Sequence, residues 1–295
     1  MKTCNKETKD LSHIPQRLPV WDLLKLFAIF LVIWGHSITA FSSSVSEQNP
    51  VFIRLNGFHV GLFMMISGYF SLSAFRLSPL RFLSKKFYQL VYPCFAWGGV
   101  KWIIIETALI ITGGLASLTL SGLLSDLYWF SDFWFLKSCF LCFCIAYLGH
   151  MLPIKSRYWM PLTVIVSQVV PPFSIPFMYP CFLAGMVLRK DEGLMKFISL
   201  FHNAFTKACC SPVIKTLSEW GRYTLELYIV QHFVLEQTLC HFIKFDNYSL
   251  TVFSVLISPV ASVLVLLLCL CIIRLIYQSR TLSKFLFAKE PPSVA

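Results

Sequence analysis

Charged residues are scarce in this sequence. They make up 13% of its 295 residues, whereas hydrophobic residues make up 57%, and the mean hydropathy is +0.69. A soluble domain of this length needs a more polar surface, so the composition excludes that class and is typical of a polytopic membrane protein. We therefore predict an all-α fold, a bundle of about eight transmembrane helices, with ten as the alternative.

Acidic residues are the scarcer charged class, with 14 Asp and Glu against 25 Lys and Arg and a net charge of +11. Such an excess could indicate nucleic-acid binding. However, most of the basic residues lie in short segments between apolar runs, where they orient a membrane protein and contact anionic lipid. The pattern therefore predicts a membrane-lipid partner, no nucleic acid, and both termini in the cytoplasm.

Three other features are missing from the sequence. It has no internal repeat of the kind found in many transporters, and its polar first residues do not resemble a cleavable signal peptide. Its eleven cysteines include no set at zinc-ligand spacing, so we predict no metal site. The predicted organisation is a cytoplasmic segment 1–18, a transmembrane domain 19–278 and a cytoplasmic tail 279–295.

Eight apolar runs are long enough to be interpreted as spans. They are approximately residues 19–40, 52–73, 87–113, 133–152, 158–170, 173–188, 223–241 and 251–275. Two further segments, 115–130 and 197–210, would both have to cross to give ten spans, and we predict that the second lies on the inner surface.

The first of these runs contains three ionisable residues that are unusual in a span, Asp22, Lys25 and His36. Eleven helical steps bring Lys25 and His36 within roughly 20° of one helix face and about 16 Å apart along the axis. Ionisable groups at membrane depth are costly unless they pair or face a polar cavity. The stripe therefore indicates either a functional site or, alternatively, an interfacial anchor and a structurally hydrogen-bonded histidine.

The predicted spans place further ionisable residues at the depth of His36, namely His59, Glu106 and Lys137. Histidine and glutamate are the usual general acid–base residues, and a nearby lysine can stabilise an oxyanion. The alternative is an ion-pair network with a structural role only.

Basic residues gather at the other predicted end of the first three spans, where Lys25 is joined by Arg81, Lys85 and Lys86. Such a cluster suits a phosphate-bearing ligand. The alternative is a topology signal that contacts anionic lipid. Ser67 and Tyr69 flank Gly68 in the second span. We predict that both line a channel; the alternative is that the motif serves close packing of helices.

Six short motifs occur in the order found in the bacterial acyltransferase-3 family, and the chain resembles this family. They are Asp22 and Lys25 with His36, HVGLFMMISGYF from His59, RFLSKKFYQLVYP from Arg81, WFL at 134–136, FLAGMVLRK around Gly185, and EWGRYTLELYIVQHF with Gly221, Tyr228 and His232. Lysine stands at positions 25, 85 and 86 where the family commonly has arginine. Lysine keeps the charge but lacks the planar fork that binds phosphate through two hydrogen bonds.

The resemblance implies a function, since members of this family move acyl groups, commonly acetyl, from acyl-CoA onto sugars of surface glycans. The expected protein is a multi-pass O-acetyltransferase of the bacterial inner membrane, with acetyl-CoA as co-substrate, no bound cofactor, and a surface or lipid-linked glycan as acceptor. His36 would be catalytic, either as a base or as a transient acyl carrier. Glu106 or His59 would orient it, and Lys137 would stabilise the oxyanion. The alternatives are a transporter or flippase of a glycan or small anion, and a non-catalytic scaffold.

Overall fold

The structure is a computed structural model that describes residues 19–42, 49–111, 133–169, 174–190, 212–246 and 248–290, without the side chains of residues 105, 106 and 108–110. Every regular element in these ranges is helical, so the all-α prediction is confirmed for the described residues. The two ambiguous segments, 115–130 and 197–210, lie outside them.

Twelve α-helices are found in the described ranges. In chain order they are α1 (Pro19–Phe41), α2 (Pro50–Ser71), α3 (Pro79–Lys86), α4 (Tyr92–Ile111), α5 (Trp134–Met151), α6 (Ser156–Gln168), α7 (Ile175–Leu188), α8 (Pro212–Trp220), α9 (Thr224–Glu236), α10 (Leu250–Val252), α11 (Ser258–Gln278) and α12 (Arg280–Phe287). One π-helical turn, Phe87–Val91, joins α3 to α4, and another, Phe253–Ile257, joins α10 to α11.

Four helical stretches are long and apolar enough to cross a membrane. They are Pro19–Phe41, Pro50–Ser71, Trp134–Met151 and Leu250–Gln278. A span needs about 20 residues, and α6 and α7 have only 13 and 14. The helices therefore support a membrane protein, whereas the number of eight spans and the cytoplasmic termini remain predictions.

Helix α1 lies at the centre of the bundle, packed against α2, α8, α9 and α11. Apolar residues of α1, α9 and α11 form one buried cluster, which includes Ile29, Leu227 and Leu266. A second cluster joins α2, α5 and α7. The space between the two clusters is where a cavity opens.

Three glycines let helices approach one another at backbone distance. A Cβ atom on Gly68 of α2 would collide with the carbonyl of Phe182 in α7, and one on Gly185 would collide with the carbonyl of Met65. Gly221, just before α9, is pressed in the same way against the carbonyl of Asp22 in α1. Larger residues at these positions would separate the helices that surround the cavity.

The segment predicted as a tail packs back onto the bundle. Helix α12 contacts α4 and α11, and Phe287 is fully buried. Just beyond it, Lys289 Nζ lies 2.7 Å from Oε1 of Glu226, a buried carboxylate of α9. The pair compensates a charge that would be costly to bury alone.

Candidate active site

A cavity of about 450 Å³ lies between α1, α2, α5 and α9. Its wall contains both Lys25 and His36, which are eleven residues and so about 16 Å apart along α1. Helix α9 runs alongside, with Thr224 and Glu236 also in the wall. We call the two regions the Lys25 end, which includes Thr224, and the His36 end, which includes Glu236.

Apolar side chains line most of the cavity between its two ends. They are Val32, Val60, Phe63, Ile66, Leu90, Trp134, Phe135, Leu136 and Leu225. Such a lining, with a few polar groups at defined positions, is typical of a site that binds a partly aliphatic ligand.

The carboxylate of Glu236 bridges two histidines at the His36 end. Its Oε1 lies 2.8 Å from His36 Nδ1, and its Oε2 lies 3.0 Å from His232 Nδ1. His36 and Glu236 are each 34% exposed, whereas His232 is 4% exposed and packs edge-on against Phe133. The buried histidine thus helps to fix the carboxylate, and the carboxylate fixes the imidazole that lines the cavity.

This arrangement determines which nitrogen of His36 is available. A hydrogen bond from Nδ1 to a carboxylate requires the proton on Nδ1, so the neutral ring carries its lone pair on Nε2. No described residue forms a hydrogen bond with Nε2. The carboxylate also stabilises the imidazolium that forms when Nε2 takes a proton. This geometry leaves Nε2 of His36 able to accept a proton.

His59 joins His36 in the cavity wall. It is 7% exposed, and its Cε1 lies 3.9 Å from the Cβ position of Gly35. The sequence-predicted pair of histidines is thus brought together on facing helices, although the carboxylate that contacts His36 comes from α9.

The Lys25 end has a different construction. Lys25 Nζ lies 3.4 Å from Oδ1 of Asp22 and 4.9 Å from the ring centroid of Phe70. Asp22 is 2% exposed, whereas the Lys25 side chain is 26% exposed. The buried carboxylate holds the ammonium near the cavity wall, where it can meet an anionic group.

Of the two predicted channel residues on α2, only Ser67 is in the wall, where its hydroxyl lies 3.8 Å from Cys139 Sγ. Tyr69 is buried instead, with its ring 4.1 Å from that of Trp21. Arg189 donates to the Tyr69 carbonyl at 3.2 Å. Tyr69 therefore joins α1, α2 and the end of α7 near Lys25.

Besides Tyr69, four predicted site residues are placed outside the wall. Arg81 and Lys85 are exposed on α3, and Lys86 Nζ lies 3.6 Å from the ring centroid of Phe143. Lys137 comes directly after three residues of α5 that are in the cavity wall, but it is not in the wall. The structure does not describe the side chain of Glu106.

Glu236 is the residue that the sequence analysis missed. It follows His232 by four residues, a spacing that places both side chains on one helix face. That spacing was a local signal of a histidine–carboxylate pair. Its contact with His36, 200 positions earlier in the chain, depends on the packing of α9 against α1.

Comparisons with known proteins agree with the motifs. The profile of a family described as an acyltransferase domain, acyltransferase-3, matches residues 19–197. The chain belongs to the acyltransferase-3 family. This confirms the resemblance seen in the motifs, and the matched region contains Lys25, His36 and His59, whereas Glu236 lies beyond it.

A curated relative is the nodulation protein NolL of Sinorhizobium fredii, which is 27% identical over 219 residues. The alignment covers 69% of this chain and 58% of NolL, so the chain corresponds to little more than half of that protein's length. No solved structure matches the chain.

Proposed function

We propose that this protein is a membrane-embedded O-acyltransferase that transfers acetyl from acetyl-CoA to a sugar hydroxyl of a surface or lipid-linked glycan. Family membership supports acyl transfer. The observation that carries the proposal is the 2.8 Å contact between His36 Nδ1 and Glu236 Oε1, in the wall of a cavity that also contains Lys25.

In the proposed reaction, His36 Nε2 removes the proton from the acceptor hydroxyl as its oxygen attacks the thioester carbonyl. The tetrahedral intermediate collapses by breaking the carbon–sulfur bond. The proton held by His36 then passes to the leaving thiolate, so the products are an acetyl ester and CoA. In this reaction Glu236 orients the imidazole, and His232 positions Glu236.

The donor would enter from the Lys25 end. Its phosphates suit the ammonium of Lys25, and its aliphatic arm suits the apolar wall between the two ends. Because Lys25 and His36 are about 16 Å apart along α1, a donor held by Lys25 can extend an acyl group toward His36. Arg81 and Lys85 would contact only parts of the donor outside the cavity.

The test is His36→Ala in purified protein, with release of the CoA thiol and mass spectrometry of acetylated glycan as readouts. We expect transfer to fall by at least about 100-fold, the effect of losing a general base. The matched control is His241→Ala, since His241 is exposed and outside the cavity wall.

Wild-type turnover by His36→Ala would contradict the catalytic assignment. A purified wild-type protein that binds glycan but releases no CoA from acetyl-CoA would instead support the transporter alternative, in which the same buried polar groups bind a substrate in transit.

A further inference from the structure

The proposed chemistry leaves three residues at the His36 end unused. Thr39 lies one turn beyond His36 on α1, and Phe52 and Asn56 lie on α2 at helical spacing with His59. All three are in the cavity wall. They therefore line the cavity beyond the two histidines, on the side away from Lys25.

The polar groups of these residues complement a hydroxyl-bearing ligand. No described residue forms a hydrogen bond with the exposed amide of Asn56, so it offers both donors and an acceptor. Thr39 Oγ1 donates to the carbonyl of His36 at 2.9 Å, which leaves its lone pairs to accept. Phe52 adds an aromatic ring that can pack against the C–H face of a sugar.

The charges of the wall differ between its two ends. Among the described residues of the wall, Lys25 is the sole lysine or arginine, and it lies at the opposite end. The His36 end contains the carboxylate of Glu236. Lys244 donates to the carbonyl of Ala40 at 2.9 Å but is outside the wall. An anionic ligand at the His36 end would lose water beside a negative charge, and no lysine or arginine among the described wall residues of that end would compensate it, which opposes binding.

We propose that Thr39, Phe52 and Asn56 form an acceptor subsite that selects an uncharged sugar, with Asn56 binding a hydroxyl next to the one that is acylated. The inference deepens the proposed function and rests on it. It assigns the two substrates to opposite ends of one cavity, with the polyanionic donor at Lys25 and a neutral acceptor at His36.

The experiment uses the full-length protein in lipid nanodiscs with acetyl-CoA and two acceptors, methyl glucoside and methyl glucuronide. These differ only at the exocyclic C6, which carries a hydroxyl in the glucoside and is a carboxylate in the glucuronide. The amide of the glucuronide, which also lacks the 6-hydroxyl but is uncharged, separates the effect of charge from that of the missing hydroxyl. We expect the glucoside to be acetylated with a kcat/KM at least about tenfold higher than the glucuronide. Asn56→Ala should raise the glucoside KM about tenfold, the effect of one or two lost hydrogen bonds, and leave the acetyl-CoA KM unchanged.

The matched control is Arg54→Ala, because Arg54 is exposed on α2 but is not in the wall. This variant should keep the wild-type preference. A loss of the preference there would show that a residue outside the wall, rather than the subsite, sets selectivity, and would contradict the inference.

Three results would overturn the inference. The first is an equal kcat/KM for the glucuronide and the glucoside. The second is an unchanged glucoside KM in Asn56→Ala. The third is a rate of CoA release that no neutral glycoside increases. The wild-type protein releasing no CoA under any condition is a distinct result, which would contradict the acyltransferase proposal and this inference with it.

Discussion

The two ends of the cavity are held together by different means. At the Lys25 end, helices meet at backbone distance through glycines, with Gly221 against Asp22 and Gly68 against Phe182. At the His36 end, the contact between α1 and α9 is made by side chains, through the His36–Glu236 pair. The Lys25 end therefore depends on the small size of its glycines, and the His36 end depends on the hydrogen-bonding side chains of His36 and Glu236.

The two ends therefore suit different tasks, binding of an anion at the Lys25 end and proton transfer at the His36 end. The Lys25 end presents a cation on a rigid backbone frame, which suits recognition of an anion that does not itself react. The His36 end presents an imidazole whose tautomer and orientation are set by a carboxylate, which suits proton transfer. Substitutions at the two ends should therefore change different kinetic parameters.

The largest effect is expected from Glu236→Gln. The amide keeps the shape of the side chain but removes the charge that orients His36 and stabilises its protonated form. We expect kcat to fall about 100- to 1,000-fold, with both KM values changed much less. Glu219→Gln is the matched control, because Glu219 is an exposed carboxylate on α8. A kcat of Glu236→Gln within a few-fold of wild type would contradict this prediction, because the His36 end would then not depend on the His36–Glu236 pair.

A second, smaller effect is expected on stability from Gly68→Ala. The new methyl group would collide with the Phe182 carbonyl, so we expect the protein to lose about 1–3 kcal/mol of stability and to melt at a lower temperature in detergent. Gly61→Ala is the matched control on the same helix, because its Cβ would lie 3.4 Å from Cys181 Sγ, an ordinary contact. Equal melting temperatures for the two variants would show that close backbone approach does not hold the Lys25 end.

The smallest effect is expected from Lys25→Ala. Loss of one charge-assisted contact to a phosphate should raise the acetyl-CoA KM about tenfold and leave the acceptor KM and kcat nearly unchanged. Lys25→Arg should restore most of the affinity. Lys215→Ala serves as control, since Lys215 is exposed on α8 at the same end. An acceptor KM that rises as much as the donor KM would contradict the division of roles.

Much of the fold was predictable because apolar runs and prolines are local signals. The first span was predicted at 19–40 and is Pro19–Phe41, and the sixth was predicted at 173–188 and is Ile175–Leu188. The third was predicted to begin at 87, yet the helix begins at Pro79. The reason is that the charged turn of α3 continues into the apolar α4 through a π-helical turn without a break.

The site was predictable where it depends on one helix and unpredictable where it depends on two. The periodicity of α1 placed Lys25 and His36 on one face, and both are in the cavity wall. The charge of Arg81 and Lys85 predicted a phosphate site; both side chains are exposed outside the cavity wall, and their contact with a phosphate stays a prediction. Glu236 was missed because its role requires the packing of α9 against α1.

In the proposed reaction, one cavity holds the donor at Lys25 and presents its acyl group to the acceptor hydroxyl beside His36. The most direct measurement is a cryo-electron-microscopy structure of the full chain with a thioether analogue of acetyl-CoA, in which sulfur is not a leaving group. We expect a donor phosphate within about 4 Å of Lys25 Nζ and the acetyl group beside His36 Nε2. Phosphates bound over Arg81 and Lys85, with the acetyl group outside the cavity, would contradict it.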